Sequence, residues 1–330
     1  MPVDDRFVTR AYQPGDETSI LDLFARCFHA PRTLEHFRWK YLQNPYGNAH
    51  ISVTFDGDGR LAGHYAGYLV PFVEGERDLL AHQIGDTMTD PAVRHLGRGP
   101  TGILGRTALH FYTTFCDNKI AFNYGFNVSN IQRFSLRFLR ADRAEPVSFW
   151  RRDAADVRRI GRVGRWARGY QLELVREAGE EFDRFFADVR PSYPFLVKRD
   201  ATYLRWRYLQ CPDAGAFIVA IRKWGRLAGW SVFRIRDDRL LWGDALFDPR
   251  HASAIDVLLR HVVPSYPVKR IETWFAPRPA WIAEELTKAG FEQAAEPQDL
   301  SVMCVPFVLP DATERIQQSL YYTMGDSDLF

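Results

Sequence analysis

Cysteine is scarce and scattered in this chain. Cys27, Cys116, Cys211 and Cys304 are its four, and no two stand close enough to make a C-x-x-C pair. That spacing argues against a zinc knuckle and against a disulfide framework, so no metal is expected. Long apolar runs are also missing. None reaches the ~20 residues that a bilayer-spanning helix needs, and no membrane partner is expected. Acidic residues stand near the start where a signal peptide would be basic, so the expected setting is the reduced cytoplasm. Charge of one sign does not dominate. A net charge of +2 gives no bulk electrostatic reason to expect nucleic acid. What remains is a soluble globular composition, 46% hydrophobic and 25% charged, over 330 residues with room for two domains.

The most informative stretch is Arg94-His95-Leu96-Gly97-Arg98-Gly99. A strand-like run over 79–89 precedes it and a helix-like run over 102–112 follows. Strand, glycine turn and helix start together make an anion cradle. Glycines let the backbone approach a phosphate, and the unpaired N–H groups of the first helical turn hold it with the positive end of the dipole. Pro100 suits that first turn, where its missing N–H costs nothing. Arg94 and Arg98 add charge beside it. The spacing R-x-x-G-x-G lacks the Gly-Lys-Ser/Thr ending of a P-loop and is not the dinucleotide G-x-G-x-x-G.

This loop resembles the pyrophosphate loop of the GNAT superfamily, the N-acetyltransferases that bind acetyl-CoA. The resemblance implies acetyl-CoA, or another acyl-CoA, as co-substrate. It places the pyrophosphate on Leu96, Gly97, Arg98, Gly99 and Gly102. It also implies a thioester carbonyl polarised by a backbone N–H on the preceding strand, where Met88 is the expected donor.

The chain also repeats itself. Phe37-Arg38-Trp39-Lys40-Tyr41-Leu42-Gln43-Asn44-Pro45 recurs as Leu204-Arg205-Trp206-Arg207-Tyr208-Leu209-Gln210-Cys211-Pro212. Gly59-Arg60-Leu61-Ala62-Gly63 recurs as Gly225-Arg226-Leu227-Ala228-Gly229, and Gly85-Asp86 with Asp90-Pro91 as Gly243-Asp244 with Asp248-Pro249. Three matches in one order mean a duplicated domain. Each copy reads as a helix, strands (51–55, 61–70 and 79–89; 217–222, 227–235 and 239–247), a helix (100–116; 251–262), a strand (119–125; 270–275) and a last helix (129–139; 280–289). The order of elements is similar to the GNAT fold. The expected class is therefore α/β (α+β), two tandem GNAT-like domains, each a mixed and mostly antiparallel sheet flanked by helices. No glycine follows Asp248-Pro249, so the second copy cannot build the phosphate cradle. The expected organisation is an acyl-CoA domain over 1–150, an Arg-rich linker over 151–168, a degenerate copy over 169–310 and a tail over 311–330. The linker is read as a solvated crossover, with a patch for the CoA 3′-phosphate or an anionic acceptor as the alternative.

Direct acyl transfer needs a base for the amine, polarisation of the carbonyl and a fate for the leaving thiolate. In the family, the strand matching 119–125 splays away to admit the pantetheine arm, and a tyrosine on the helix after it is the general acid. Asn127 and Asn130 fit that helix start, but no tyrosine follows, and Phe134 or Arg137 falls in its place. Tyr124 is the nearest substitute, with core filling as its alternative. For the base, Asp86 lies on the thioester strand, yet Asp244 repeats it in the copy without a loop, which argues for a role in the fold. His82 shares a strand face with Asp86. His64 stands where the second copy has Trp230, and a neutral imidazole suits a base near pH 7. The tail ends Tyr321-Tyr322-Thr323-Met324-Gly325-Asp326-Ser327-Asp328-Leu329-Phe330, and Phe330 is expected near the thioester end of the CoA site. The expected acceptor is the amine of a small molecule such as an amino sugar, an aminoglycoside or an amino-acid-like metabolite. A non-catalytic acyl-CoA sensor and a Fem-type aminoacyl transferase are the alternatives, and the latter needs no such loop.

Overall fold

The computed structural model describes residues 6–97, 99–161, 163–213 and 215–330. The chain divides into two compact units. The first takes residues 1–72, 78–146 and 300–317; the second takes 73–77, 147–299 and 318–330.

In the first unit the strands are β1 (Val8–Ala11), β2 (His50–Phe55), β3 (Leu61–Glu74), β4 (Arg77–Thr89), β5 (Phe122–Asn127) and β6 (Asp142–Pro146). In the second they are β7 (Phe149–Asp153), β8 (Tyr170–Val175), β9 (Phe195–Val197), β10 (Ala216–Lys223), β11 (Arg226–Arg236), β12 (Arg239–Phe247), β13 (Arg270–Trp274) and β14 (Glu292–Ala294). Two more close the list in chain order, β15 (Ser301–Pro306) and β16 (Leu320–Tyr321). The first sheet runs β1-β2-β3-β4-β5-β15-β6, and the second β14-β7-β13-β12-β11-β10-β8. β4 pairs with β5, and β12 with β13, in parallel, while the registers at β1, β2, β10, β11 and β15 are antiparallel. The strands carry β-branched and aromatic side chains, and β3 is buried along most of its length, as a strand covered on both faces must be.

Each sheet is completed by a strand that follows directly on a segment of the other unit. β7 follows the first copy but pairs with β13 and β14. β15 follows the second copy but pairs with β5 and β6. This overturns the expected linker at 151–168. Arg151, Arg152 and Asp153 lie in β7, and Ala154–Ile160 form helix α5. The expected tail at 311–330 is likewise divided. Its helix Ala312–Ser319 lies largely in the first unit, and the residues from Gln318 on lie in the second. The reason is physical: a five-residue strand with hydrogen-bonding edges on both sides is held by its neighbours in space, whatever its neighbours in sequence.

The repeated segments make the same local structure. A four-residue α-helix, Leu34–Phe37 or Ala201–Leu204, runs into a π-helical turn, Arg38–Leu42 or Arg205–Leu209. Both starts are capped, by the Thr33 hydroxyl accepting from the His36 N–H and by the Asp200 carboxylate accepting from the Tyr203 N–H. The aromatic pair Trp39 and Tyr41, or Trp206 and Tyr208, then points into its own core.

Candidate active site

In the first unit β4 and β5 pair at His82↔Asn123 and Gln83↔Tyr124, and no register extends further. At that point Asp86 takes φ 51, a left-handed conformation within the strand. Beyond it lies a cavity of about 710 Å³. One wall is the end of β4, with Thr87, Met88 and Thr89. A second is the turn with Pro91, Arg94, Gly97 and Gly99 and the start of helix α3 (Ile103–Phe111), with Gly102, Ile103, Leu104 and Gly105. A third is helix α4 (Ser129–Phe138), through Ile131, Phe134 and Phe138. The fourth is the end of helix α1 (Glu17–Phe28) and its cap, with Arg26, Cys27, Phe28 and His29.

The glycines are required by the backbone. Gly97 and Gly99 hold φ 70 and 56. A Cβ on Gly99 would lie 2.7 Å from the Phe138 ring, and one on Gly105 would lie 2.1 Å from the Gly99 carbonyl oxygen. The turn can therefore lie against the first coil of α3. Gly102, at the N-cap of α3, offers no side chain to the first-turn N–H groups. No side chain therefore caps the positive end of this helix. Asp90 anchors the turn: its carboxylate accepts from the Ala92 N–H at 2.9 Å, and Arg26 and Arg60 each pair with it at 3.0 Å.

The expected pyrophosphate residues Gly97, Gly99 and Gly102 line this cavity together with Arg94 and Met88. Leu96 does not. It packs instead against the small core of Phe7, Ala62 and Ile103. Arg98 lies outside the described residues, as does the side chain of Asn130, whose backbone belongs to α4.

The residues expected to do proton chemistry are elsewhere. Asp86 is buried, and Lys40 (3.0 Å), Tyr41 (2.7 Å) and Arg32 all bind its Oδ2. Burial opposes its charge, but Lys40 and Arg32 with the Tyr41 hydroxyl outweigh it and hold the carboxyl well below the usual range. So committed a carboxylate makes a poor base. His64 is buried too, its Nδ1 2.7 Å from the Asp86 carbonyl, and burial pushes it down to about 4. His82 lies between His50 (2.6 Å) and Asn123 (2.9 Å), and burial, with His50 beside it, pushes it down to about 3. Neither imidazole lines the cavity. Tyr124 and Asn127 line a separate, much smaller void with Tyr65, Tyr112 and Ser135. Phe330 is placed in the second unit. Its ring covers Gly243, and the Arg234 guanidinium lies 5.0 Å from its centroid.

The matching point of the second unit is built differently. β12 and β13 pair only as far as Trp242↔Thr273. Past that point the C-terminal segment enters. Thr323 bridges Phe275, the Ala276 N–H donates to the Tyr322 carbonyl at 2.9 Å, and the Tyr321 hydroxyl donates to the Ala245 carbonyl at 2.7 Å. Asp244 is held as Asp86 is, by Tyr208 (2.6 Å) and Arg199 (2.9 Å), with Thr323 at 2.8 Å. Arg199 and Arg32 occupy matching places before Arg207 and Lys40 in the repeat. The Asp therefore serves the fold in both copies, and its reappearance in the copy without a glycine loop was the signal. By contrast, nothing in the sequence marked Arg26–His29 as a wall of the site.

Comparison with known proteins fits this geometry. The acetyltransferase (GNAT) domain profile matches residues 8–136. Over 133 residues the chain is 31% identical to the uncharacterized protein YchO of Escherichia coli K12, a match covering 39% of this chain and 27% of that protein. The chain thus spans about a quarter of the length of that curated relative. Among solved structures it is similar to a conserved protein of unknown function from Enterococcus faecalis V583, described as a probable N-acyltransferase. That match has TM-score 0.71 and 14% identity over 92% of this chain and 73% of the other. It is also similar to a tandem GNAT protein from the clavulanic acid biosynthesis pathway, with TM-score 0.57 and 17% identity over 90% and 97% of the two chains. At these identities the likeness to solved structures shows the fold.

Proposed function

We propose that this chain, whose first unit is a GNAT domain and whose second carries the same fold, transfers an acyl group from acetyl-CoA to the amine of a small molecule. Amino sugars, aminoglycosides and amino-acid-like metabolites are the acceptor classes this reading covers. The observation that carries it is the cavity of the first unit, where Gly97, Gly99 and the uncapped start of α3 face Met88 and Thr87 across one space. In this reading the pyrophosphate sits on the turn and α3, beside the Arg94 guanidinium. The pantetheine arm runs between β4 and α4, and the Met88 N–H polarises the thioester carbonyl. The acceptor enters past the end of α1. His29, exposed there, is the one imidazole among the described lining residues, and we assign it the role of base. The attacking nitrogen gives up its proton as the C–N bond forms, and the C–S bond breaks to release the CoA thiolate.

Phe134 stands in the cavity where the family's tyrosine is expected, which supports a second reading, an acyl-CoA sensor without turnover. One assay separates the two. Thiol release from acetyl-CoA, followed across a panel of amines, rises with at least one acceptor if the chain is a transferase. A sensor binds CoA and releases no thiol with any of them. His29→Ala should lower kcat by about 100-fold with little change in CoA affinity.

A further inference from the structure

The hairpin between β10 and β11 differs between the copies in a way that folding does not require. In the first copy the matching turn reads Gly57-Asp58-Gly59-Arg60, with glycine in place of Lys223 and an acid in place of Trp224. In the second it reads Lys223-Trp224-Gly225-Arg226. Trp224 takes φ 51, where a bulky residue costs roughly 1–2 kcal/mol that glycine would avoid. The residue is nevertheless 68% exposed, so burial does not offset that cost.

The tip is preformed. The Trp224 N–H donates to the Gly169 carbonyl at 2.9 Å, and Lys223 Nζ donates to the Arg168 carbonyl at 2.8 Å. The indole lies over Gly169, where a Cβ would come within 2.5 Å of it. Lys223 Nζ stands 3.9 Å from the centroid of the Tyr170 ring. The adjoining turn brings Arg165 and Trp166, the latter 49% exposed. Nearby carboxylates are already engaged, Glu173 and Glu181 by Arg222 and Asp256 by Arg260. The result is a tip with two exposed indoles among Arg165, Arg168, Lys223 and Arg226.

We propose that this tip, residues 165–170 and 223–226, docks on the surface of an anionic lipid bilayer. Indoles settle at the headgroup level, and Lys and Arg near an anionic surface each gain about 1 kcal/mol. No helix among the described residues is long and apolar enough to cross a membrane, so the contact is peripheral. Single-stranded nucleic acid fits less well. It calls for aromatic platforms along a basic groove that tracks the backbone, whereas these indoles stand at a hairpin tip and an adjoining turn.

The test is co-sedimentation of the full chain with extruded vesicles of phosphatidylcholine, alone or mixed with phosphatidylserine. The chain should pellet with the mixed vesicles, weakly or not at all with the neutral ones, and less as salt is raised. Trp224→Gly suits the left-handed turn and keeps the fold, which thermal melting checks, yet it should weaken vesicle binding by about tenfold. Arg165→Glu with Arg226→Glu should abolish it. Equal binding to both vesicle types, or unchanged binding by Trp224→Gly, overturns the proposal. So does capture of polyuridylate with no vesicle binding. CoA affinity of the same variants is measured alongside and should not move, which keeps this result separate from the fate of the acyltransferase reading.

Discussion

The two copies part beyond their parallel strand pairs. Each has a parallel strand pair that stops short, β4 with β5 after Gln83↔Tyr124 and β12 with β13 after Trp242↔Thr273. In the first unit a cavity opens beyond that point, bounded by a glycine turn. In the second the chain's own C-terminus enters, with Tyr321, Tyr322 and Thr323 bonded to Ala245, Ala276 and Phe275. A splayed sheet exposes backbone N–H and C=O groups that must find partners. The second unit satisfies them within the protein and is closed. In the first the cavity lies at that point, and in the proposed reading a ligand meets them. What the copies share, the Asp86 and Asp244 clusters, belongs to the fold, and the glycine turn that lines the cavity is found only in the first.

The largest effect should come from breaking a shared element. Asp244→Ala leaves Arg199 buried with Asp326 as its remaining acidic partner, and should cost about 3–5 kcal/mol. Asp86→Ala should cost a similar amount, since Lys40 and Arg32 lose one carboxylate. Urea unfolding measures both. A small loss at either position would mean that the clusters are not equivalent.

Next is the plug. Phe330→Ala removes a ring that covers Gly243 and should destabilise by about 3 kcal/mol. CoA affinity should stay as it was, because the affected contacts lie in the second unit. Loss of CoA binding without loss of stability would return the tail to the role expected from its sequence.

The third effect depends on pH and belongs to the first unit. His64 and His82 titrate at about 4 and about 3 when folded, below the usual value of about 6.5. Between those values the unfolded chain binds protons that the folded chain refuses. Stability should therefore be full above about pH 6.5 and fall as pH drops toward 4, on the order of 3 kcal/mol per group. The second copy has Trp230 and Leu240 at the matching positions, so its unfolding should not follow this trend through them. Denaturation curves at pH 7 and pH 4.5 would show it. A pH-independent midpoint would mean that these imidazoles are not buried as neutral groups.

Much of this was legible because it is local. The glycine turn, Met88 and Arg94 fall within a dozen residues, and the duplication is written in matching words. What was hidden is long-range. Strand alternation put Asp86 and His82 on one face but could not say that Arg32, Lys40 and Tyr41 would meet Asp86 there. The exchange of β7 and β15 was hidden because Phe149–Asp153 carries charge that reads as linker, and pairing in a sheet leaves no mark in composition. The aromatic residues of the tail are buried, but where they go depends on a gap between β12 and β13 that no local pattern reveals.

The smallest of these perturbations probes the central claim, that one copy alone binds acyl-CoA. Calorimetric titration of the full chain with CoA should give one site per chain. Replacing Gly97 and Gly99 with valine should raise its dissociation constant by roughly tenfold or more, about 1.4 kcal/mol, in a protein that still melts cooperatively. A stoichiometry near two, or unchanged affinity in the folded double variant, would contradict the account.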